Sequence, residues 1–463
     1  MNHFSSVPRG LAQLCFAALS TAAISCAAMS AAHAEGPPQR IILKYRTAPQ
    51  AADSLGETSR RIMSDATSRF GIAMSNVRKG ANGAQIMRLD NKLEKAEMAQ
   101  LVKDLAADPN VEYAEEDRMM QPLLTPNDPS YSVQWHYYET TGGLNLPTAW
   151  DRSTGTGVIV AVIDTGYRPH ADLAANIVGG YDMISDTFVS RDGNGRDSSA
   201  LDPGDWTTGG DCGANAASNS SWHGTHVAGT IAARTNNSVG VAGVAYNARV
   251  LPVRVLGRCG GYTSDIADGI VWASGGAVSG VPTNPNPAKV ASLSLGGQGA
   301  CDRTTQNAVN TARSRGTVVI VAAGNSNANA SGFSPSNCTG VITVAATNRS
   351  GGRAYYSNFG SIVDVAAPGG DTRTSSANGV ASTLNSGTTT PGNDAYAYYQ
   401  GTSMATPHVS GVAALMFAVN PTLTPAQVES ILKSTTRAFP ATCSQCGTGI
   451  VNAAAAVTAA AAQ

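Results

Sequence analysis

The sequence predicts an α/β fold: a central, mostly parallel sheet flanked by helices, preceded by a small α+β domain. Three observations predict it. Short runs rich in β-branched residues at 158–163, 248–253, 290–295 and 317–322 alternate with helical segments. Runs that are apolar at successive positions suit strands covered on both faces, as in parallel sheets. Composition also changes near residue 119. Residues 35–118 hold 26 charged residues in 84 positions, 13 of each sign, whereas 119–463 hold 36 in 345. Finally, 49 glycines and long Ala/Ser/Thr/Val stretches suit close helix–sheet packing with many tight turns.

Taken in order, residues 1–34 read as an export signal. Arg9 begins it, 11–23 is mostly apolar and small, and Ala32-His33-Ala34 offers small residues at both cleavage-determining positions. Ser, Thr and Gln interrupt the apolar stretch, which argues against a membrane anchor. Ala23 argues against a lipid attached at Cys26. Residues 35–121 form the charge-rich unit. Within it, 41–45 reads as a strand, and Leu93, Met98, Leu101, Val102 and Leu105 give 93–105 helical spacing. Asp108-Pro109-Asn110 breaks that helix, and 111–114 reads as a returning strand. Pro122, Pro126 and Pro129 mark 119–130 as a linker. Residues 122–463 make the main domain, ending in an Ala-rich helix or fray at 453–462. The net charge of −1 gives no field for nucleic acid, and no later apolar run is long enough to span a bilayer.

Six cysteines remain after the signal: Cys212, Cys259, Cys301, Cys338, Cys443 and Cys446. An even number in an exported chain favours disulfides. Spacing does not choose among the possible connectivities. Pairing in chain order gives Cys212–Cys259, Cys301–Cys338 and Cys443–Cys446. No second C-x-x-C accompanies Cys443 and Cys446, so a structural bond is preferred there over a zinc or redox pair.

Three segments carry the chemistry. The strand 158–163 runs into Asp164-Thr165-Gly166, placing a carboxylate where open α/β sheets bind ligands. His223-Gly224-Thr225-His226 opens a small-residue helix. Gly401-Thr402-Ser403-Met404-Ala405-Thr406-Pro407-His408 places a serine just before an apolar helix, with Pro407 expected in its first turn. A serine hydroxyl is too weak an acid to attack an amide unaided. It needs a base, and the base needs a partner to fix its tautomer. Asp, His, Ser is a known chain order for such a triad on an α/β sheet. His223-x-x-His226 lacks the spacing and glutamate of a zinc-peptidase helix, so no catalytic metal is expected. Ala405 spoils the Gly-x-Ser-x-Gly elbow of α/β esterases. His408 is expected to pack or hydrogen-bond near the core.

These segments resemble the three signature motifs of the subtilisin-like serine peptidases, over roughly 130–455. The resemblance implies a serine endopeptidase with Asp164 as orienting carboxylate, His223 as general base and then acid, and Ser403 as nucleophile. It implies Asn325, in Ala323-Gly324-Asn325, as oxyanion donor beside the Ser403 N–H. Ser294-Leu295-Gly296 resembles the strand that pairs with extended substrate, Gly261 belongs to the facing edge, and Ala323 and Gly324 adjoin the same cleft. Main-chain pairing of this kind suggests broad polypeptide substrates. The position of 35–121 resembles an inhibitor-type propeptide that aids folding, covers the cleft and is removed within 118–126 by self-processing. The implied product is secreted, monomeric and free of stable membrane insertion.

Seven aspartates lie between Asp182 and Asp211. Asp192, Asn194, Arg196, Asp197 and Asp205 are the expected positions of a structural Ca²⁺, which takes many oxygens. The distal glutamate of a calcium loop is missing. The alternative to an active peptidase is an exported binding protein on an inactive peptidase fold. The full set Asp164, His223, Asn325 and Ser403 argues against it.

Overall fold

The computed structural model describes residues 38–46, 57–80, 82–118, 125–213 and 216–463. The export signal at 1–34 and most of the expected cleavage region, 119–124, lie outside these residues. Two compact units are present, Met1–Met120 and Gln121–Gln463.

The first unit has β1 (Arg40–Tyr45), α1 (Glu57–Phe70), β2 (Met74–Lys79), β3 (Gln85–Leu89), α2 (Lys95–Ala107) and β4 (Val111–Glu116). Its antiparallel sheet runs β2-β3-β1-β4, with Ile41 opposite both Met87 and Glu116. The two-residue period of β1 buries Ile41, Leu43 and Tyr45 on one face. Ile62 and Ala66 of α1 and Met98, Leu101 and Leu105 of α2 share that core. At the start of α2, the Glu97 carboxylate accepts from the Glu94 N–H at 2.9 Å, satisfying one of the helix's orphan donors.

The second unit is built on seven parallel strands. They are β5 (Ile159–Asp164), β6 (Tyr181–Asp182), β7 (Arg249–Arg254), β8 (Val290–Leu293), β10 (Val318–Ala322), β12 (Ile342–Thr347) and β13 (Val365–Pro368), with the short strands β9 (Gly297–Gln298) and β11 (Phe333–Ser334) forming a separate pair. The spatial order is β13-β12-β10-β8-β5-β7-β6. The expected strands appear within one or two residues of their predicted limits. Alternate residues of β5 enter opposite cores: Val160 and Val162 on one face, Ala161 and Ile163 on the other. Helix α3 (His223–Ala232) and helix α6 (Thr402–Val419) cover the first face, and α4 (Thr263–Ala273) and α5 (Arg303–Ser314) cover the second. A hairpin of β14 (Val380–Asn385) and β15 (Asp394–Tyr399) precedes α6, and α7 (Pro425–Ser434) and α8 (Ala453–Ala460) follow it.

Contrary to the sequence reading, one later stretch is long and apolar enough to cross a membrane: among the described residues it is α6, and 83% of it is buried inside the unit as its core helix. It begins at Thr402, so Pro407 sits inside the helix rather than in its first turn as the sequence suggested. Disulfides join Cys212 to Cys259, Cys301 to Cys338 and Cys443 to Cys446.

Candidate active site

The parallel sheet sends its carboxyl ends to one edge: Asp164, bonded to His223, ends β5, Ser403 lies against Ser294 just beyond β8, and Asn325 follows β10. Asp164 is the last residue of β5 and fully buried. Its Oδ1 accepts from the Thr165 N–H and from His223 Nδ1, each at 2.8 Å. A ring nitrogen facing a carboxylate carries the proton, so His223 Nε2 keeps its lone pair. Asp164 Oδ2 is buried with no partner among the described residues.

His223 opens α3, with its side chain about one-fifth exposed. The helix can start this close to β5 because residue 224 is glycine. A Cβ there would lie 2.0 Å from the Gly166 carbonyl oxygen. The Gly224 N–H, an orphan donor of the first turn, is taken by Thr165 Oγ1 at 3.0 Å. Burial works against a charged His223. The charge and hydrogen bond of Asp164, then the charges of Asp205 and Asp202, outweigh it and raise the imidazole above its ordinary pKa.

Ser403 is the second residue of α6, where the N–H has no intrahelical acceptor and the helix dipole favours negative charge. Four residues on, Pro407 has no N–H to give the Ser403 carbonyl. The Ser294 hydroxyl replaces it, donating to that carbonyl at 2.8 Å. In return the Ser403 hydroxyl donates to the Ser294 carbonyl at 3.1 Å, and not to His223. Nothing in the residue types around Ser294 marked it for this task. The signal lay in a proline four places beyond a candidate serine.

Asn325 follows β10. Its Oδ1 accepts from the Thr402 N–H at 2.8 Å and the Thr402 hydroxyl at 2.9 Å. A backbone N–H can only donate, so the opposing atom is the amide oxygen and Nδ2 faces the other way. Nδ2 has no hydrogen-bond partner among the described residues. Gly324 has φ 103°, and a Cβ on it would lie 2.4 Å from Asn358 Nδ2. Buried Asn358 holds the loop by donating to the Ala323 carbonyl and accepting from the Ser326 and Ala328 N–H groups. Leu256, Gly260, Gly261, Ile266, Leu295 and Gly296 line one open groove of about 520 Å³.

Three further histidines are fully buried. His226 Nε2 lies 3.1 Å from both the Val380 and Ala397 carbonyls, and its ring stacks on Tyr399. His408 Nδ1 lies 2.7 Å from the Met404 carbonyl, and its Nε2 lies 2.7 Å from Nδ1 of His136. The carbonyl fixes the direction of this chain. His408 Nδ1 donates to it, so His136 donates to His408 and His136 Nε2 is left as a buried acceptor with no partner among the described residues. No pattern in the sequence pointed to His136.

The expected calcium positions do not gather into a ligand sphere. Arg196 is a cation paired with Asp265 and Asp268. Asp192 pairs with buried Arg254 at 2.9 Å. Asp197 accepts from Asn194 Nδ2 and the Ser199 N–H. Both oxygens of Asp205 are engaged by Ser221. Arg254 thus pairs with Asp182 and Asp192, Arg196 is tied to α4, and no cluster of three or more metal-ligating His, Cys, Asp or Glu exists among the described residues.

This fold, with its matched region, defines the class. The subtilase family model (peptidase S8) matches residues 155–449, and the chain belongs to that family of serine peptidases. The chain is 56% identical over 432 residues to an "Extracellular protease" of Xanthomonas campestris pv. campestris, covering 91% of this chain and 73% of that protein. It is 44% identical over 433 residues to an "Extracellular basic protease" of Dichelobacter nodosus, covering 91% and 70%. A solved protease of Pseudoalteromonas arctica PAMC 21717 superposes with TM-score 0.72 at 67% identity, covering 73% of this chain and all of that one. The names of these relatives support secretion.

Proposed function

We propose that Asp164, His223 and Ser403 form a catalytic triad that hydrolyses peptide bonds through an acyl-enzyme, with Asn325 in the oxyanion hole. The observation that carries this reading is the 2.8 Å contact of buried Asp164 with His223 Nδ1, at the sheet edge where Ser403 and Asn325 also lie. In the reaction the Ser403 hydroxyl turns from the Ser294 carbonyl to His223 Nε2, which takes its proton as Oγ attacks the substrate carbonyl. The resulting oxyanion is held by Asn325 Nδ2 and the Ser403 N–H. His223 then gives the proton to the departing amine as the C–N bond breaks. Water, deprotonated by the same nitrogen, cleaves the ester and restores the hydroxyl.

An extended polypeptide would pair with Ser294-Leu295-Gly296 on one side and Gly261 on the other, with Ala323 and Gly324 beside the scissile bond. Backbone pairing carries little side-chain information, so broad substrates are expected. We assign 1–34 to an export signal, 35–121 to a propeptide and 122–463 to a monomeric catalytic domain, with self-processing at the junction. Reaction of the secreted enzyme with a sulfonyl fluoride, mapped by mass spectrometry, tests the nucleophile. Labelling at Ser403 with loss of casein hydrolysis is expected. No labelling and no hydrolysis would leave the inactive-fold alternative.

A structural calcium fits a different set from the one expected. Asp128 and Asp172 are both buried. Burial and then the charge of Asp128 push the Asp172 carboxyl above its ordinary range, despite hydrogen bonds from Val241 and Asn237. Their oxygens already accept from the N–H groups of Asn236, Asn237 and Val241, from Asn237 Nδ2 and from the Tyr396 hydroxyl, so they would hold an ion through their remaining lone pairs, and it would supply the missing positive charge. A chelator should lower the melting temperature, and Asp172→Asn should abolish that sensitivity.

A further inference from the structure

Asp205 stands in the acidic stretch between Asp182 and Asp211, 41 positions beyond Asp164 in the chain. Its Oδ1 accepts from the Ser221 N–H at 2.6 Å and its Oδ2 from the Ser221 hydroxyl at 2.7 Å. The Ser221 oxygen in turn accepts from the His223 N–H at 3.3 Å. The Ser221 carbonyl accepts from the Tyr399 hydroxyl at 2.8 Å, and the Tyr399 ring stacks on His226, one turn into α3.

Ser221 is therefore held at its N–H, hydroxyl and carbonyl, two residues before His223. The acidic stretch is braced to keep Asp205 there. Asp202 Oδ1 accepts from the Gly204 N–H at 2.8 Å. A Cβ on Gly204 would meet the Thr389 carbonyl at 2.2 Å and Ser220 Oγ at 2.5 Å, so only glycine lets the segment approach. The residue between Ser221 and His223, Trp222, has φ 49°, a conformation that such a side chain adopts only when its neighbours fix it.

We infer that Asp205 is a positioning residue for the general base: it grips Ser221 with both carboxylate oxygens, fixes the backbone from which His223 departs, and adds a second negative charge behind the imidazole. This rests on the triad reading above. Asp164 orients the ring, and Asp205 orients the chain that carries it. Among the described residues, the ionisable groups that act on His223 are Asp164 from β5, Asp202 and Asp205 from the acidic stretch and His226 from α3. A carboxylate at Asp205 supports the imidazolium that forms as Ser403 loses its proton.

The test uses the secreted enzyme, made from the full chain, with Asp205→Asn, Ser221→Ala and the double variant. Active sites are counted by sulfonyl fluoride titration, and kcat and KM are read on a peptide anilide from pH 5 to 10. Asp205→Asn should lower kcat about tenfold, a fraction of the 10²–10⁴ that a positioned base supplies, with KM unchanged. The acid limb of kcat/KM should move to lower pH. Ser221→Ala should lower kcat without moving that limb, and the double variant should lose less than the product of the single losses.

Unchanged kcat per active site in both single variants, or an acid limb that stays in place in Asp205→Asn, would overturn the inference. If Asp205→Asn does not accumulate, full kcat per active site in Ser221→Ala overturns it by itself. His223→Ala separates the two readings. If that variant keeps turnover, the triad has failed. If it is dead while both single variants are normal, only the role of Asp205 has.

Discussion

Two regions of the second unit treat histidine in opposite ways. Around His223, carboxylates converge, and the imidazole is raised above its ordinary pKa against the pull of burial. Around the ring pair of His136 and His408, burial and other histidines act, and no carboxylate among the described residues is hydrogen-bonded to either ring. Burial pushes His408 down to about 4 and His136 well below 6.5. His226, between the two regions, is pushed by burial to about 3 although it lies one helical turn from His223. The same side chain is thus prepared to carry charge in one place and to exclude it in the other. The difference teaches that hydrogen-bond partner, more than depth, decides the role: a carboxylate for His223, a carbonyl for His408.

The largest effects should come from breaking the charged region. Ser403→Ala should lower turnover of a peptide substrate about 10⁶-fold and leave the proprotein uncut on an immunoblot from a protease-free host. Asp164→Asn should cost about 10⁴-fold in kcat, because an amide facing Nδ1 can reverse the tautomer and remove the lone pair from Nε2. Asn325→Ala should cost about 10²–10³ in kcat with little change in KM, since in the proposed oxyanion hole its Nδ2 would meet charge that exists only in the transition state.

The dry region is tested by stability. An unfolded histidine takes a proton near 6.5, whereas native His408 waits until about 4. Between those values the unfolded chain binds more protons, so stability falls as pH drops from 6.5 toward 4 and this contribution levels off below. The loss is about 3 kcal/mol for His408 alone at the acid end. Melting temperatures across that window should fall less steeply in His408→Gln. His223 has the opposite sign: its contribution is complete below 6.5 and fades as pH rises through its raised native value. Melting curves of His223→Gln and wild type should therefore converge on the alkaline side.

Much of this was legible in the chain because the informative residues are contiguous. The run from 158 to Asp164 shows a buried strand delivering a carboxylate, and the segments at His223 and Ser403 each hold a helix start beside a reactive side chain. Charge density alone separated the two units. What stayed hidden depends on residues far apart in sequence. Asp192, Arg196 and Asp205 read as oxygen ligands because the chain does not show that Arg254, Asp265 and Ser221 will occupy them. His136 looks like any aromatic-flanked polar residue until α6 brings His408 against it. Pro407 was read as a helix starter because the sequence does not show that α6 already begins at Thr402.

That proline has a consequence for the life history of the chain. By leaving the Ser403 carbonyl unclaimed within its own helix, it makes the serine depend on Ser294, 109 residues earlier. A polypeptide in which those segments have not yet met carries the serine as an ordinary side chain. On the proposed triad, the hydrolytic site would be assembled only when the segments that carry Asp164, Ser294 and Asn325 have come together, so a half-built copy would not cut the proteins around it.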